Sequence, residues 1–154
     1  MILWIDPWIW KLGYALIENN LDIVEAGVIK MDKDKTSRVD QYQRMVQIYD
    51  FFEKLIKKYK NIKTVSIEKY FFTQFNKSNA EFVYWIRWAL LMLCLKKWIE
   101  IKEWTPIEMK KRITWNGNAG KDLVKKFIMK YFQLKENPEY HDTSDALWLA
   151  FLWK

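Results

Sequence analysis

Four carboxylates in this chain, Asp6, Glu68, Asp142 and Asp145, have the type and placement to hold divalent metal ions. Asp6 closes the apolar run Ile2-Leu3-Trp4-Ile5 and is followed by Pro7, which ends a strand. Glu68 closes a second run, Thr64-Val65-Ser66-Ile67. Asp142 and Asp145 stand three residues apart at the start of a C-terminal apolar helix, so they share a face. Acids at two strand ends and one helix start supply hard oxygen ligands of the kind Mg²⁺ takes. Any one of them alone reads as a cap or a solvated group. Their joint placement is what points to chemistry.

The elements that must position them follow from hydrophobic period and turn residues. Strands are expected over about 2–6, 11–18 and 22–30, with Glu18-Asn19-Asn20 as a hairpin turn. Thr36-Ser37 opens a helix running to about Tyr59, whose Met45, Ile48, Tyr49, Phe52 and Leu55 recur at helical spacing. A strand over 63–68 leads into the aromatic loop 69–77. Ser78 then caps a helix over 79–96 that is apolar nearly all round, hence buried or shared with a partner. A strand over 98–103 precedes a short basic helix, Thr105-Pro106 to Ile113, with Pro at its first position. The connector Asn116-Gly117-Asn118-Ala119-Gly120 leads to a helix over 121–132, and the last helix runs from Thr143 to the end. This order predicts an α/β fold: one mixed five-stranded sheet, three antiparallel strands first, with helices on both faces. Placing the first and fourth strands side by side would bring Asp6 and Glu68 together.

The totals bound the class. A chain of 154 residues is most economically one domain, 1–154, with 51% hydrophobic residues to build its core. Its apolar stretches are too short to span a bilayer, and Asp6 interrupts any export signal, so the cytoplasm is the expected location. Lone Cys94 is expected as a small buried hydrophobe. A net charge of +7 despite 19 acidic residues suggests a polyanionic partner, with a solvated basic surface as the alternative.

Ten Trp against four Gly is an abnormal balance, since ordinary usage of roughly 7% Gly would give about 11 in this length. Trp8 follows Asp-Pro at a strand exit, and Trp115 precedes Asn116-Gly117 in a loop, both sites suited to glycine. One reading is that Trp4, Trp8, Trp10, Trp85, Trp88, Trp98, Trp115, Trp148 and Trp153 are UGA codons read as glycine in the native lineage, with Trp104 undecided. The other is a genuinely Trp-rich protein that uses indoles for stacking.

Four ordered blocks resemble the RuvC-type Holliday-junction resolvases of the ribonuclease H-like superfamily. Ile2-Leu3-Trp4-Ile5-Asp6-Pro7-Trp8 with Gly13-Tyr14 is similar to that family's opening, and Ser66-Ile67-Glu68 with Phe71 to its second acidic strand. Thr105-Pro106, Lys110-Lys111, Trp115-Asn116-Gly117 and Lys121 resemble its basic region. Asp142-Thr143-Ser144-Asp145-Ala146-Leu147 resembles its acidic ending. The departures are mainly Trp where the family has Gly, at Trp4, Trp8, Trp88 and Trp115.

The resemblance implies a crossover junction endodeoxyribonuclease that nicks four-way junction DNA symmetrically as a homodimer. It also implies a branch-migration motor as partner. Asp6, Glu68, Asp142 and Asp145 then form the catalytic and metal site, with Asp6 bridging. Two Mg²⁺ ions suit four acids, with Mn²⁺ able to substitute. Lys110, Lys111 and Lys121 hold backbone phosphates together with Arg112, and Phe71 stacks on an unpaired base. His141 adjoins the acids and is expected as a solvent-facing loop residue. Three rival readings stay open: a related nuclease acting on RNA or other branched DNA, a nucleotide-binding ATPase-like or kinase-like module, and a noncatalytic nucleic-acid-binding protein.

Overall fold

The apolar runs and alternations become strands β1 (Ile2–Asp6), β2 (Lys11–Ile17), β3 (Ile23–Lys30), β4 (Thr64–Glu68) and β5 (Glu100–Trp104). Helices α1 (Arg38–Lys58), α2 (Lys77–Lys96), α3 (Pro106–Thr114) and α4 (Lys121–Tyr131) complete the described elements. The computed structural model describes residues 1–7, 11–20, 22–30, 37–69 and 77–131. The strands form one sheet in the order β3-β2-β1-β4-β5. β1 pairs antiparallel with β2 and parallel with β4, and β4 pairs parallel with β5. The expected mixed sheet, three antiparallel strands first, is therefore what forms.

The two central strands are buried on both faces, which is why β1 reads as a continuous apolar run rather than an alternation. Leu3, Ile5, Val65 and Ile67 face α1 and α2, packing with Ile48, Phe52, Phe82, Val83, Ile86 and Leu90. Ile2, Trp4, Ala15 and Ile17 face the other way, against Met109 and Ile113 of α3 and Val124 and Ile128 of α4. Cys94 lies in the first of these cores, and burial pushes its thiol up to about 12, as befits an inert small hydrophobe.

Two capping boxes fix helix starts. Ser37 and Asp40 cap α1 reciprocally. At α3, Glu108 N–H donates to Thr105 Oγ1 at 3.1 Å and Thr105 N–H to Glu108 Oε2 at 2.8 Å, with Pro106 at the first position. Those bonds hold the Glu108 carboxyl below its ordinary value. Two boundaries differ from the sequence expectation. α2 begins at Lys77, which puts Ser78 inside its first turn rather than at its cap. β5 begins at Glu100, not residue 98. There the chain first closes α2: Trp98 N–H donates to Leu95 O at 3.2 Å and Ile99 N–H to Cys94 O at 3.0 Å.

A polar clamp ties β2, β3 and α1 together. Tyr14 Oη (3.1 Å), Tyr59 Oη (2.8 Å) and Lys58 Nζ (2.8 Å) all donate to the Glu25 carboxylate. The Lys58 bond, helped by those of Tyr59 and Tyr14, holds Glu25 below the usual 4.5 despite its partial burial. Burial and the bond to Glu25 push the Tyr14 phenol up to about 12. A carboxyl depressed by folding stabilises the fold above its unfolded pKa and loses that contribution as pH falls through the folded one. Chemical denaturation of Glu25→Gln at pH 7 and at pH 3 checks this. The variant is expected to be less stable at pH 7, and its deficit should shrink at pH 3.

Candidate active site

Asp6 and Glu68 end adjacent parallel strands in matching register. The last β1–β4 pair is Ile5↔Ile67, and the next residue on each strand is the acid. Neighbouring strands lie about 4.8 Å apart, so the two carboxylates project side by side. Side chains alternate along a strand, which puts both acids on the face of Ile2, Trp4 and Ser66, the face that α3 and α4 cover. Asp6 pairs on its other side with Gly13, which has no side chain to crowd the carboxylate. Both acids are half-buried.

The topology makes this end of the sheet a switch point. The chain leaves β1 toward β2, but leaves β4 toward α2 and then β5. Connections therefore diverge between the carboxyl ends of β1 and β4, and open α/β sheets place ligand sites at such a switch point. Two neighbouring carboxylates there repel each other when both are ionised, and a bound divalent cation relieves that repulsion. Among the described residues no group of three or more potential ligands converges. Asp142, Asp145, His141 and Phe71 lie outside the described residues.

Arg87 is a residue that sequence reasoning missed. It is only 6% exposed, although it belongs to the mostly apolar α2. Its Nη1 donates to the main-chain carbonyl of Glu68, and its Nη2 to the carboxylate of Glu103 on β5. One guanidinium therefore ties α2 to the carboxyl ends of β4 and β5. Lys69 N–H adds a 2.7 Å bond to Trp104 O just beyond. The signal available in the sequence was a lone cation among Trp85, Ile86, Trp88 and Ala89.

The basic residues lie on the helices that cover this face. Lys110, Lys111 and Arg112 ride on α3, and Lys121 is the first residue of α4. The intervening connector is a set of local turns: Asn118 N–H donates to Asn116 Oδ1 at 2.9 Å and Ala119 N–H to Asn116 O at 3.1 Å. Gly117 packs so closely on Ile107 that a Cβ would meet its Cγ2 at 3.0 Å. Arg112 lies over the Trp104 ring at 5.6 Å, which anchors α3 to the end of β5.

This sheet, with an acid at the carboxyl end of each of two adjacent parallel strands, has the ribonuclease H-like fold. The chain belongs to the crossover junction endodeoxyribonuclease RuvC family, whose model matches residues 2–152. It is 32% identical over 154 residues to a Prochlorococcus marinus crossover junction endodeoxyribonuclease RuvC, covering 97% of this chain and 95% of that one. The Brachyspira hyodysenteriae RuvC is 34% identical over 149 residues, covering 95% and 88%. Among solved structures, Thermus thermophilus RuvC in complex with a Holliday junction substrate superposes with a TM-score of 0.82 at 20% identity, covering 98% of this chain and 90% of that one. The yeast mitochondrial Holliday junction resolvase superposes at 0.67 with 14% identity, covering 99% and 76%. These superpositions establish the fold.

Proposed function

We propose that this protein is a metal-dependent endonuclease that resolves Holliday junctions by paired symmetric nicks, in DNA recombination and repair. The observation that carries this reading is the pairing of Asp6 and Glu68 at the switch point of the sheet, in a chain of the RuvC family. In the proposal Asp6, Glu68, Asp142 and Asp145 hold two Mg²⁺ ions, which Mn²⁺ can replace. Held by these four acids, such ions would supply Lewis-acid chemistry for activating a water nucleophile and stabilising the leaving oxyanion. The protein's own contribution is positional. β1 and β4 fix two carboxylates at neighbouring strand ends, and Arg87 fixes the backbone of one of them.

Lys110, Lys111 and Lys121 are assigned to backbone phosphates, which give affinity and register rather than sequence reading. The overall charge of +7 supports this. Replacing Lys110 and Lys121 together with Ala is expected to weaken junction binding and flatten its salt dependence by a slope of about 2. Titrating KCl in EDTA, where binding is separated from cleavage, measures it. An unchanged slope would remove both lysines from the interface. Phe71 is assigned to base stacking by resemblance.

The proposal includes a homodimer, because two active sites related by a two-fold axis match the two opposed strands of a four-way junction. The outer face of α2 supports it: Trp88, Met92 and Leu95 are spaced as helical neighbours and exposed. Sedimentation equilibrium is expected to give two chains per particle. The reading also takes residues 1–154 as one nuclease domain working on cytoplasmic DNA. A branch-migration motor is included as partner on family grounds. Among the described residues no helix is long and apolar enough to cross a membrane.

Substrate competition tests the choice of nucleic acid. An unlabelled four-way DNA junction is expected to suppress cleavage of the labelled one far better than equal masses of duplex DNA or RNA–DNA hybrid. Equal suppression by the hybrid would transfer the reading to an RNA-directed nuclease of the same fold.

A further inference from the structure

The tryptophan excess calls for a separate account, and the backbone singles out two of the six tryptophans among the described residues. Among the described residues the non-glycine positions with positive φ are Trp98, at φ 57°, and Trp115, at φ 63°. Both are tryptophan. A bulky side chain in this left-handed region is a genuine outlier, because its Cβ crowds the following carbonyl oxygen.

The two sites are helix ends of a kind built for glycine. At the end of α2, Ile99 N–H bonds to Cys94 O at 3.0 Å and Trp98 N–H to Leu95 O at 3.2 Å. That pair of bonds, six-to-one enclosing five-to-two, is the Schellman motif, and Trp98 occupies its left-handed position, which glycine usually fills. The accompanying apolar contact is also in place, since Ile99 and Cys94 belong to one core cluster. At the end of α3, Trp115 takes the left-handed conformation at the cap (ψ 4°). Thr114 Oγ1 and Asn116 close the turn around it, with Asn116 N–H donating to Thr114 Oγ1 at 3.3 Å.

Nothing offsets the strain through packing. The Trp98 residue is 96% exposed and Trp115 is 87% exposed, so neither indole is held by the fold. Other described tryptophans differ. Trp4 fills the second core from an extended strand, Trp104 lies under Arg112 on β5, and Trp85 stacks with Tyr42 and Arg38. Their backbone conformations do not call for glycine.

We infer that the native protein carries glycine at positions 98 and 115, inserted at UGA codons that a different code reads as tryptophan. UGA is a codon whose meaning varies among genetic codes, so one reassignment accounts for both positions and raises the low glycine count. The inference is independent of the proposed nuclease activity, because it rests on backbone conformation, exposure and composition.

Peptide mass mapping of the protein isolated from its native source, with the gene sequence alongside, is the test. Peptides spanning 98 and 115 are each expected to be lighter than the tryptophan form by one indolylmethyl group, with UGA at both codons. UGG at either codon, or an indole mass in either peptide, overturns the inference. A second measurement probes the conformational premise in recombinant protein. Trp98→Gly and Trp115→Gly together are expected to raise the melting temperature, and a lowered one would contradict the premise that these turns require glycine.

Discussion

Asp6→Asn is expected to reduce junction cleavage at saturating Mg²⁺ by about a thousandfold or more, equivalent to about 4 kcal/mol of transition-state stabilisation, while junction binding in EDTA stays within a few-fold. The variant keeps the shape of the side chain but replaces one acceptor oxygen with an amide donor and removes one negative charge from the switch point between β1 and β4. A metal site of this kind depends on that charge twice, to hold the ion and to balance its field against the phosphate. In the proposed reading, binding is assigned to Lys110, Lys111 and Lys121, which lie on α3 and α4 and are untouched by the change. Stability should hold or rise slightly in the metal-free protein, because replacing one of two adjacent carboxylates relieves their repulsion. Single-turnover cleavage, filter binding and thermal melting of the same preparation separate the three effects. A loss of binding in parallel with cleavage would show that Asp6 acts in substrate recognition instead.

Arg87→Met should lower stability by about 2–4 kcal/mol, a fall in melting temperature of roughly 10 °C for a chain this size. The substitution leaves the Glu68 carbonyl without its donor at the carboxyl end of β4, and leaves Glu103 without its ion-pair partner. Glu103 is 36% exposed, so water recovers part of its solvation and the cost stays below that of a fully buried orphan charge. The change should also reach the site. With its backbone no longer fixed, Glu68 is held less firmly beside Asp6, and the Mg²⁺ concentration giving half-maximal cleavage should rise. Arg87→Lys can restore one of the two hydrogen bonds but not the fork, so it is expected to fall between the two. Melting curves and a Mg²⁺ titration of the rate check this. A stability loss with an unchanged Mg²⁺ midpoint would confine Arg87 to scaffolding.

The contrast between these two residues shows what the sequence made legible. Asp6 and Glu68 were readable because each ends a short apolar run, and such runs in an alternating α/β pattern become central parallel strands. Pro7 marks where β1 has to stop. Strand count and connection type then left few sheet orders, and the observed β3-β2-β1-β4-β5 puts both acids side by side at one end of the sheet. Arg87 was hidden because its role depends on a carbonyl and a carboxylate from two other elements, and helical period carries no such information. Within α2 it looked like a cation on an otherwise apolar helix.

The misplaced start of β5 has a different cause. Trp98 and Ile99 read as the head of a strand by composition, yet both are spent on the hydrogen bonds that terminate α2. A glycine at 98 would have marked that helix end directly, so the same residue obscured the boundary and exposed the anomaly. The basic residues were legible as a group, since Pro106 and the glycine-bearing connector bracket them, but the way their helices pack on the sheet was not. Long-range geometry of that sort is set by packing of α3 and α4 on Trp4 and Ile17, not by local sequence.

In the proposed function, Asp6 and its neighbours form a metal-dependent resolving site. The most direct test is to map nicks on a four-way DNA junction end-labelled on each strand in turn, with Mg²⁺ and with EDTA. Nicks at symmetry-related positions on two opposed strands, present with Mg²⁺ and absent in EDTA, are expected. Tight junction binding with no nicks under either condition would contradict the claim and make the protein a noncatalytic junction-binding module.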